Sequence, residues 1–326
     1  MFTSPRRLAL AEDCRAKLEL IFSRAQLEGA CENVDRLLRK IHQFTRMVPD
    51  EIYEFIEQNK AKLDAPGFII SGLPISYERP TPIRIFPKLN LANIEREEFL
   101  HLLLSSVVGQ VFTFDTIQLG NVINHIIPIK EDAARPISSG FQNDFGFHTE
   151  DAYHPCAGDY LGLLAVRNPD AVPTTLAFLG DMALTPALRD PLFEPRFLIK
   201  PNVAHHLRHS SIARTSILFG APEAPYVRAN FNLFDPADHD PETMECIRQL
   251  QTCVASAKQA IALAPGELLF IDNLRTLHGR DKYVPKFDGS DRWLIRLYIT
   301  TAWRQTARYR IHLGGYTLRG DVSHAA

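Results

Sequence analysis

The chain has 326 residues, of which 45% are hydrophobic and 23% charged, and carries a net charge of −2 at neutral pH. Chains of this size bury roughly 75% of the surface that they expose when unfolded, so a closed core that keeps water out is feasible. The composition argues against a collagen-like, coiled-coil or disordered chain, and the scattered Lys and Arg residues form no run that could track a phosphate backbone, so no nucleic-acid partner is expected.

No apolar run reaches the ~18 residues needed to cross a bilayer, and acidic residues follow Arg6 and Arg7 at once. The expected location is therefore the cytoplasm, away from membranes. The five cysteines, Cys14, Cys31, Cys156, Cys246 and Cys253, form no C-x-x-C pair and suggest neither a disulfide framework nor a thiolate zinc site. Cys246 and Cys253 fall on one helical face, which fits packing.

Residues from about 7 to 60 read as helices: Leu37, Leu38, Ile41 and Phe44 recur at helical spacing, and Pro49 ahead of Asp50 and Glu51 marks a fresh start. Residues 68–70 suggest a short strand, 96–108 a helix and 111–114 a strand. Residues 130–140, with Pro136, Ser138 and Ser139, read as a mobile loop. Between about 110 and 235, runs rich in β-branched and aromatic residues (122–127, 160–166, 174–179, 197–200, 226–231) alternate with Pro, Asn, Asp and Gly, the rhythm of an antiparallel sandwich or barrel. A helix over 241–263 interrupts it, Pro265-Gly266 turns into 267–272, and a last strand runs over 292–300. The expected organisation is one domain over 1–326, with a helical layer at 1–64 and a β-rich core at 65–315 that carries the helical insert at about 241–263.

His148-Thr149-Glu150 is the first chemical motif, since residues i and i+2 of an extended segment face the same way and can share an ion. Alone it means little, because a His-x-acid triplet arises by chance about once in a chain of this composition. His278, just beyond the strand-like 268–272, supplies a second imidazole. Two histidines and one carboxylate occupy one face of an octahedral iron(II) and leave positions open for a bidentate co-substrate and dioxygen. A structural zinc site would need four closed ligands, usually with thiolates. His205, His206 and His209 lie outside any H-E-x-x-H frame and read as a loop or polar strand end, and His154 reads as structural or as a support to the metal motif.

Arg292 and Arg296 share one face of the last strand. A buried guanidinium needs a carboxylate, and no acid nearby in sequence serves both, so two ligand carboxylates are expected; the alternative is an edge strand with both arginines in water.

The segment 147–155, the Arg167-Asn168-Pro169-Asp170 turn, Thr174-Thr175 and the segment 287–293 together resemble the clavaminate synthase-like branch of the iron(II)/2-oxoglutarate oxygenases, over roughly residues 65 to 315. Its amino-acid hydroxylases, acting on arginine, lysine, asparagine or enduracididine, are the most similar in pattern. The resemblance implies a mainly β fold with flanking helices, built on a double-stranded β-helix (jelly-roll) core, and the use of Fe(II), 2-oxoglutarate and O2. It also implies His148, Glu150 and His278 as the metal-binding, catalytic residues, and Arg292 with Thr175 as the holders of the distal carboxylate of 2-oxoglutarate. Arg296 would hold the α-carboxylate of an amino acid, Gln118 and Glu150 its ammonium, and Ser138 would add a further contact. Where arginine-specific members of the branch place an acidic pair, this chain has Asn230 and Asn232; either Asp235 or another acid compensates, or the recognised side chain is neutral and polar. The expected activity is hydroxylation of the β or γ carbon of a free L-amino acid such as arginine, lysine or a related polar residue. Desaturation or cyclisation, and a non-catalytic jelly-roll binding protein, are the alternatives.

Overall fold

The computed structural model describes residues 2–76, 79–84, 93–205, 207, 212–312 and 314–322. The first part of the chain runs β1 (Arg6–Ala9), α1 (Glu12–Leu27), α2 (Val34–Thr45), α3 (Asp50–Lys60), β2 (Gly67–Ser71), α4 (Arg96–Val108), β3 (Gln110–Phe114) and β4 (Asn124–Ile126). The middle holds β5 (Phe145–His148), β6 (Tyr160–Arg167), β7 (Thr174–Phe178), α5 (Pro186–Leu192), β8 (Leu218–Phe219) and β9 (Tyr226–Val227). It closes with α6 (Pro241–Ser256), β10 (Lys258–Ile261), β11 (Leu268–Asp272), β12 (Thr276–Arg280), β13 (Trp293–Thr300) and β14 (Thr317–Leu318).

Two sheets dominate. The larger has eight strands in the order β1-β2-β11-β6-β13-β3-β14, with β4 also on β13, and the smaller has the order β10-β7-β12-β5. Side-chain alternation assigns their faces. On β6, Leu164 and Val166 pack outward with the helices, whereas Leu161, Leu163 and Ala165 pack inward with Leu176 of the smaller sheet. On β13 the outward set is Ile295, Leu297 and Ile299, and the inward set is Leu294 and Tyr298. The outer face of the smaller sheet, through Ala177 and Leu277, packs on Ile247, Leu250 and Val254 of α6. The layers are therefore helices α1 to α4, large sheet, small sheet, and helices α5 and α6. Strands buried on both faces read as near-continuous apolar runs, which is why β6, β11 and β13 stand out in the sequence.

Helix α4 is enclosed on nearly every side. Its His101 abuts Gly162 of β6, where a Cβ would lie 2.5 Å from the imidazole Nε2, so only glycine admits the helix this close.

Several expectations need correction. The N-terminal stretch opens with a strand, β1, paired in parallel with β2, before the helices begin. The helix expected over 241–263 stops at Ser256, and the next residues form β10 against β7. Residues 197–200 form no strand, only a bridge between Phe197 and Thr215, and 226–231 shrink to the two residues of β9 plus a bridge from Asn230 to His148. His278 sits within a strand of its own, β12, and β13 lies between β6 and β3 instead of at an edge.

Candidate active site

His148 and His278 are direct cross-strand partners on β5 and β12, with ring centroids 4.3 Å apart. Glu150 follows β5 by two residues, and its Oε2 lies 3.9 Å from His148 Nε2 and 3.3 Å from His278 Nε2. One ligand atom from each of the three lies within 4.8 Å of the others, and all three side chains are buried. The imidazole of His148 donates from Nδ1 to the Gly146 carbonyl at 2.9 Å, which leaves the lone pair of Nε2 facing the carboxylate. Burial first, and then the adjacent His278, push the His148 pKa down to about 3, so the ring is neutral at pH 7, the form that binds metal.

Glu150 is aimed by its neighbours. Its Oε1 accepts from Arg296 Nη1 at 2.9 Å and from the Tyr298 hydroxyl at 3.3 Å, so Oε2 alone is turned to the histidines. Burial would raise its pKa, but the Arg296 guanidinium together with His278 and His148 outweighs burial and keeps the carboxyl ionised well below the usual range. Arg296 also donates through Nη2 to Asn124 Oδ1 at 3.1 Å. The pairing corrects one expectation: Arg296 already has a protein carboxylate, contributed from Glu150 far away in sequence.

Arg292 has none. It is 6% exposed, and its one hydrogen bond among the described residues runs from Nη2 to Thr174 Oγ1 at 3.3 Å. Its Nε is buried without a partner, and desolvation lowers its pKa to about 10. Thr175, expected beside this arginine, is on the other side of β7: it shares the outward parity of Ala177 and lies against Gly279, where a Cβ would sit 3.1 Å from its Oγ1. Thr174, with the inward parity of Leu176, supplies the hydroxyl instead. A small cavity between the sheets joins these groups, with Ser138, Glu150, His278, Arg280, Arg292 and Arg296 as its main polar lining and Leu161, Leu163 and Leu294 as apolar wall.

The other expected substrate contacts fare differently. Ser138 lines the cavity. Gln118, in a left-handed conformation (φ 41°), spends its amide on the backbone of His125, accepting from N at 3.2 Å and donating to O at 3.0 Å. Asn232 accepts from Gly146 N at 2.9 Å, donates to Gly146 O at 3.0 Å and to Asn230 Oδ1 at 3.0 Å, so the two asparagines brace β5 beneath His148. Asp235 is half-exposed, caps Ala237 N and faces Lys200 at 3.5 Å, away from the cavity lining. His205 pairs with Asp151 at 2.7 Å and binds no metal cluster, while His206 and His209 lie outside the described residues. His154 is structural, held between the Arg319 carbonyl and Cys156 N.

Comparison with known proteins matches this arrangement to a family. The family described as "Taurine catabolism dioxygenase TauD, TfdA family" matches residues 188–298. The L-ornithine/L-arginine 3-hydroxylase of Catenulispora acidiphila is 29% identical over 81% of this chain and 84% of its own length. The enduracididine beta-hydroxylase of Streptomyces hygroscopicus is 28% identical over 82% and 85%. The non-heme iron oxygenase OrfP, solved in complex with Fe and alpha-ketoglutaric acid, superposes with a TM-score of 0.87 at 29% identity, covering 97% of this chain and 100% of that one. The chain is similar to that family over residues 188–298, and to these hydroxylases and this iron oxygenase over most of its length. The matched span includes His278, Arg292 and Arg296, whereas His148 and Glu150 precede it.

Four contributors to the site escape a linear reading: Thr174, Asn124, Tyr298 and Asn273. The last clamps the Glu150 backbone from the turn after β11. Tyr298 could have been found, since it shares the parity of Arg296 on β13. Asn124 and Asn273 carry no signal without the fold.

Proposed function

We propose that this chain is an iron(II)- and 2-oxoglutarate-dependent dioxygenase that hydroxylates the β or γ carbon of a free L-amino acid such as arginine, lysine or a related polar residue. The observation that carries the reading is a three-ligand cluster of two imidazoles and one carboxylate, opening on a buried Arg292 that has no carboxylate partner among the described residues. Both sheets, with the inter-sheet cavity between them, support a double-stranded β-helix core over 65–315 and a helical layer over 1–64 within one domain.

The donor set fits the metal: His148, Glu150 and His278 would hold iron(II), which favours imidazole with carboxylate over the thiolates that select zinc. With 2-oxoglutarate and dioxygen, bound iron supplies the oxidising power that converts an unactivated C–H to C–OH, the co-substrate leaving as succinate and carbon dioxide. The chain's own groups set position. Arg292 and Thr174 fit the distal carboxylate of 2-oxoglutarate, because a guanidinium and a hydroxyl can both donate to its oxygens in a buried pocket. Arg296, with Nε still unpartnered, has capacity for the α-carboxylate of an amino acid beside Glu150, which suits a carbon near the backbone as the reacting one. Ser138 remains the candidate for a further substrate contact. Since the amide of Asn232 is committed to bracing β5, recognition of the substrate side chain falls to other groups.

A cytoplasmic location without membrane or nucleic-acid partners belongs to the same proposal; among the described residues no helix is long and apolar enough to cross a membrane. The test is an anaerobically iron-loaded sample given 2-oxoglutarate and a panel of the common amino acids with ornithine, then oxygen. One amino acid should gain one oxygen in step with succinate formation. Succinate with no oxidised amino acid across the panel would remove the amino-acid assignment, and no succinate at all would remove the enzyme.

A further inference from the structure

We propose that Arg280 is a second anchor for the distal carboxylate of the oxo-acid co-substrate, acting opposite Arg292 across Thr174. The inference rests on the reading above and deepens it. Arg280 stands two residues beyond His278 on β12, so strand alternation turns it to the same inter-sheet face. In the ladder with β7 it is the direct partner of Thr174, whose hydroxyl takes the hydrogen bond from Arg292. It lines the same cavity and is 5% exposed.

Its guanidinium is nearly unused. Among the described residues it makes one long hydrogen bond, from Nη1 to the Asp281 carbonyl at 3.4 Å, and its Nε is buried without a partner. The Tyr283 ring lies 4.9 Å beneath it. Among the described residues no carboxylate lies within ion-pair distance: Asp281 pairs with Lys258 and Asp144 accepts from Lys282 N. The one carboxylate in the cavity, on Glu150, is committed to Arg296. Two unpaired guanidinium groups at one end of a buried pocket repel each other and cost stability, unless an anion sits between them. A carboxylate offers about four lone-pair sites on two oxygens, more than a single arginine fork and one hydroxyl use up. The pair would select a dicarboxylic oxo-acid, since pyruvate would leave both cations unsatisfied.

The test compares wild type with Arg280→Met, which keeps the apolar stem, and Arg280→Lys, which keeps charge but not the fork. Binding of 2-oxoglutarate and of pyruvate to Mn(II)-loaded protein is followed by calorimetry without oxygen, so no turnover enters. Arg280→Met should bind 2-oxoglutarate about 10-fold or more weakly, as loss of a charge-assisted contact implies, with Mn(II) affinity retained and the preference over pyruvate reduced. Arg280→Lys should fall between. Folded Arg280→Met that keeps the wild-type affinity and preference would overturn the proposal; if it does not fold, unchanged affinity in Arg280→Lys does the same. Wild type that fails to bind 2-oxoglutarate would instead sink the co-substrate reading itself.

Discussion

Asn273 holds the backbone of Glu150 from both sides: its Oδ1 accepts from Glu150 N at 2.7 Å, and its Nδ2 donates to the Glu150 carbonyl at 3.2 Å and to the Gly158 carbonyl at 2.8 Å. The bonds join the turn after β11 to the residue that completes the three-ligand cluster. Asn273→Leu removes all of them within a buried setting. We expect iron affinity to fall about 10- to 100-fold, the range seen when groups that orient metal ligands are lost, with stability reduced by about 2 kcal/mol. Iron titration and denaturant unfolding check both; undiminished affinity would show that Glu150 needs no such grip.

His278→Ala should abolish stoichiometric iron binding and turnover together, because the two remaining groups cannot define a face of the coordination sphere. Metal content after dialysis against sub-stoichiometric iron gives the readout. Retention of wild-type content would discard the ligand assignment.

The two threonines of β7 give a direct test of strand parity. Thr174→Val should raise the KM for 2-oxoglutarate several-fold while leaving amino-acid affinity intact, since its hydroxyl faces Arg292. Thr175→Val, on the opposite face, should leave the co-substrate KM where it was. The reverse pattern would mean that β7 is turned over relative to the register described here.

Arg296→Ala should cost about 3–5 kcal/mol, the typical penalty for removing one partner of a buried pair. The guanidinium holds the Glu150 carboxyl below its ordinary pKa, so its loss raises that pKa, and iron loading should require a higher pH than in wild type. Amino-acid affinity should fall while binding of 2-oxoglutarate persists. Selective loss of 2-oxoglutarate binding would exchange the roles of Arg292 and Arg296.

Acid sensitivity of the metal-free protein should come partly from histidines outside the metal cluster. Burial holds His101 down to about 3 and His154 down to about 4, both below the ~6.5 of an unfolded chain. The unfolded state therefore takes up protons first, and stability present above pH ~6.5 is lost as pH falls toward these values, by about 1.4 kcal/mol per pH unit and group. Asp272 acts in the opposite sense: burial lifts its carboxyl to about 6, so the folded state protonates first and offsets one histidine between about pH 6 and 4. His101→Leu removes one titrating ring and two buried nitrogens that lack partners. Denaturant midpoints from pH 7 to 4.5 should decline less steeply in this variant; an identical slope would exclude His101 as a source.

The β-rich core was legible because its central strands are buried on both faces and read as apolar runs, as β6, β11 and β13 do. The histidines and arginines were legible as residue types at telling intervals. What escaped was what the ladder decides. Nothing in two adjacent threonines says which one faces inward, and parity on β7 chose Thr174. Arg280 was passed over because His278 was placed after a strand instead of within one. The partner of Arg296 was missed because Glu150 is brought to it by sheet packing across 146 positions of chain. Asn230 and Asn232 sit near the expected place for substrate recognition, yet the backbone of Gly146 takes up the amide of Asn232. Helix α6 was read too long because nothing in the residues after Ser256 foretells the exchange of helix for β10.

Since both imidazoles share one rung of an antiparallel ladder, a slide of β5 past β12 by a single position would swing His148 out of the site. Iron retention is thus a gauge of sheet alignment, and metal should leak from a variant whose small sheet frays well before the helices melt. Loops at the cavity mouth stand outside that constraint, free to diversify toward new substrates without disturbing the ferrous centre.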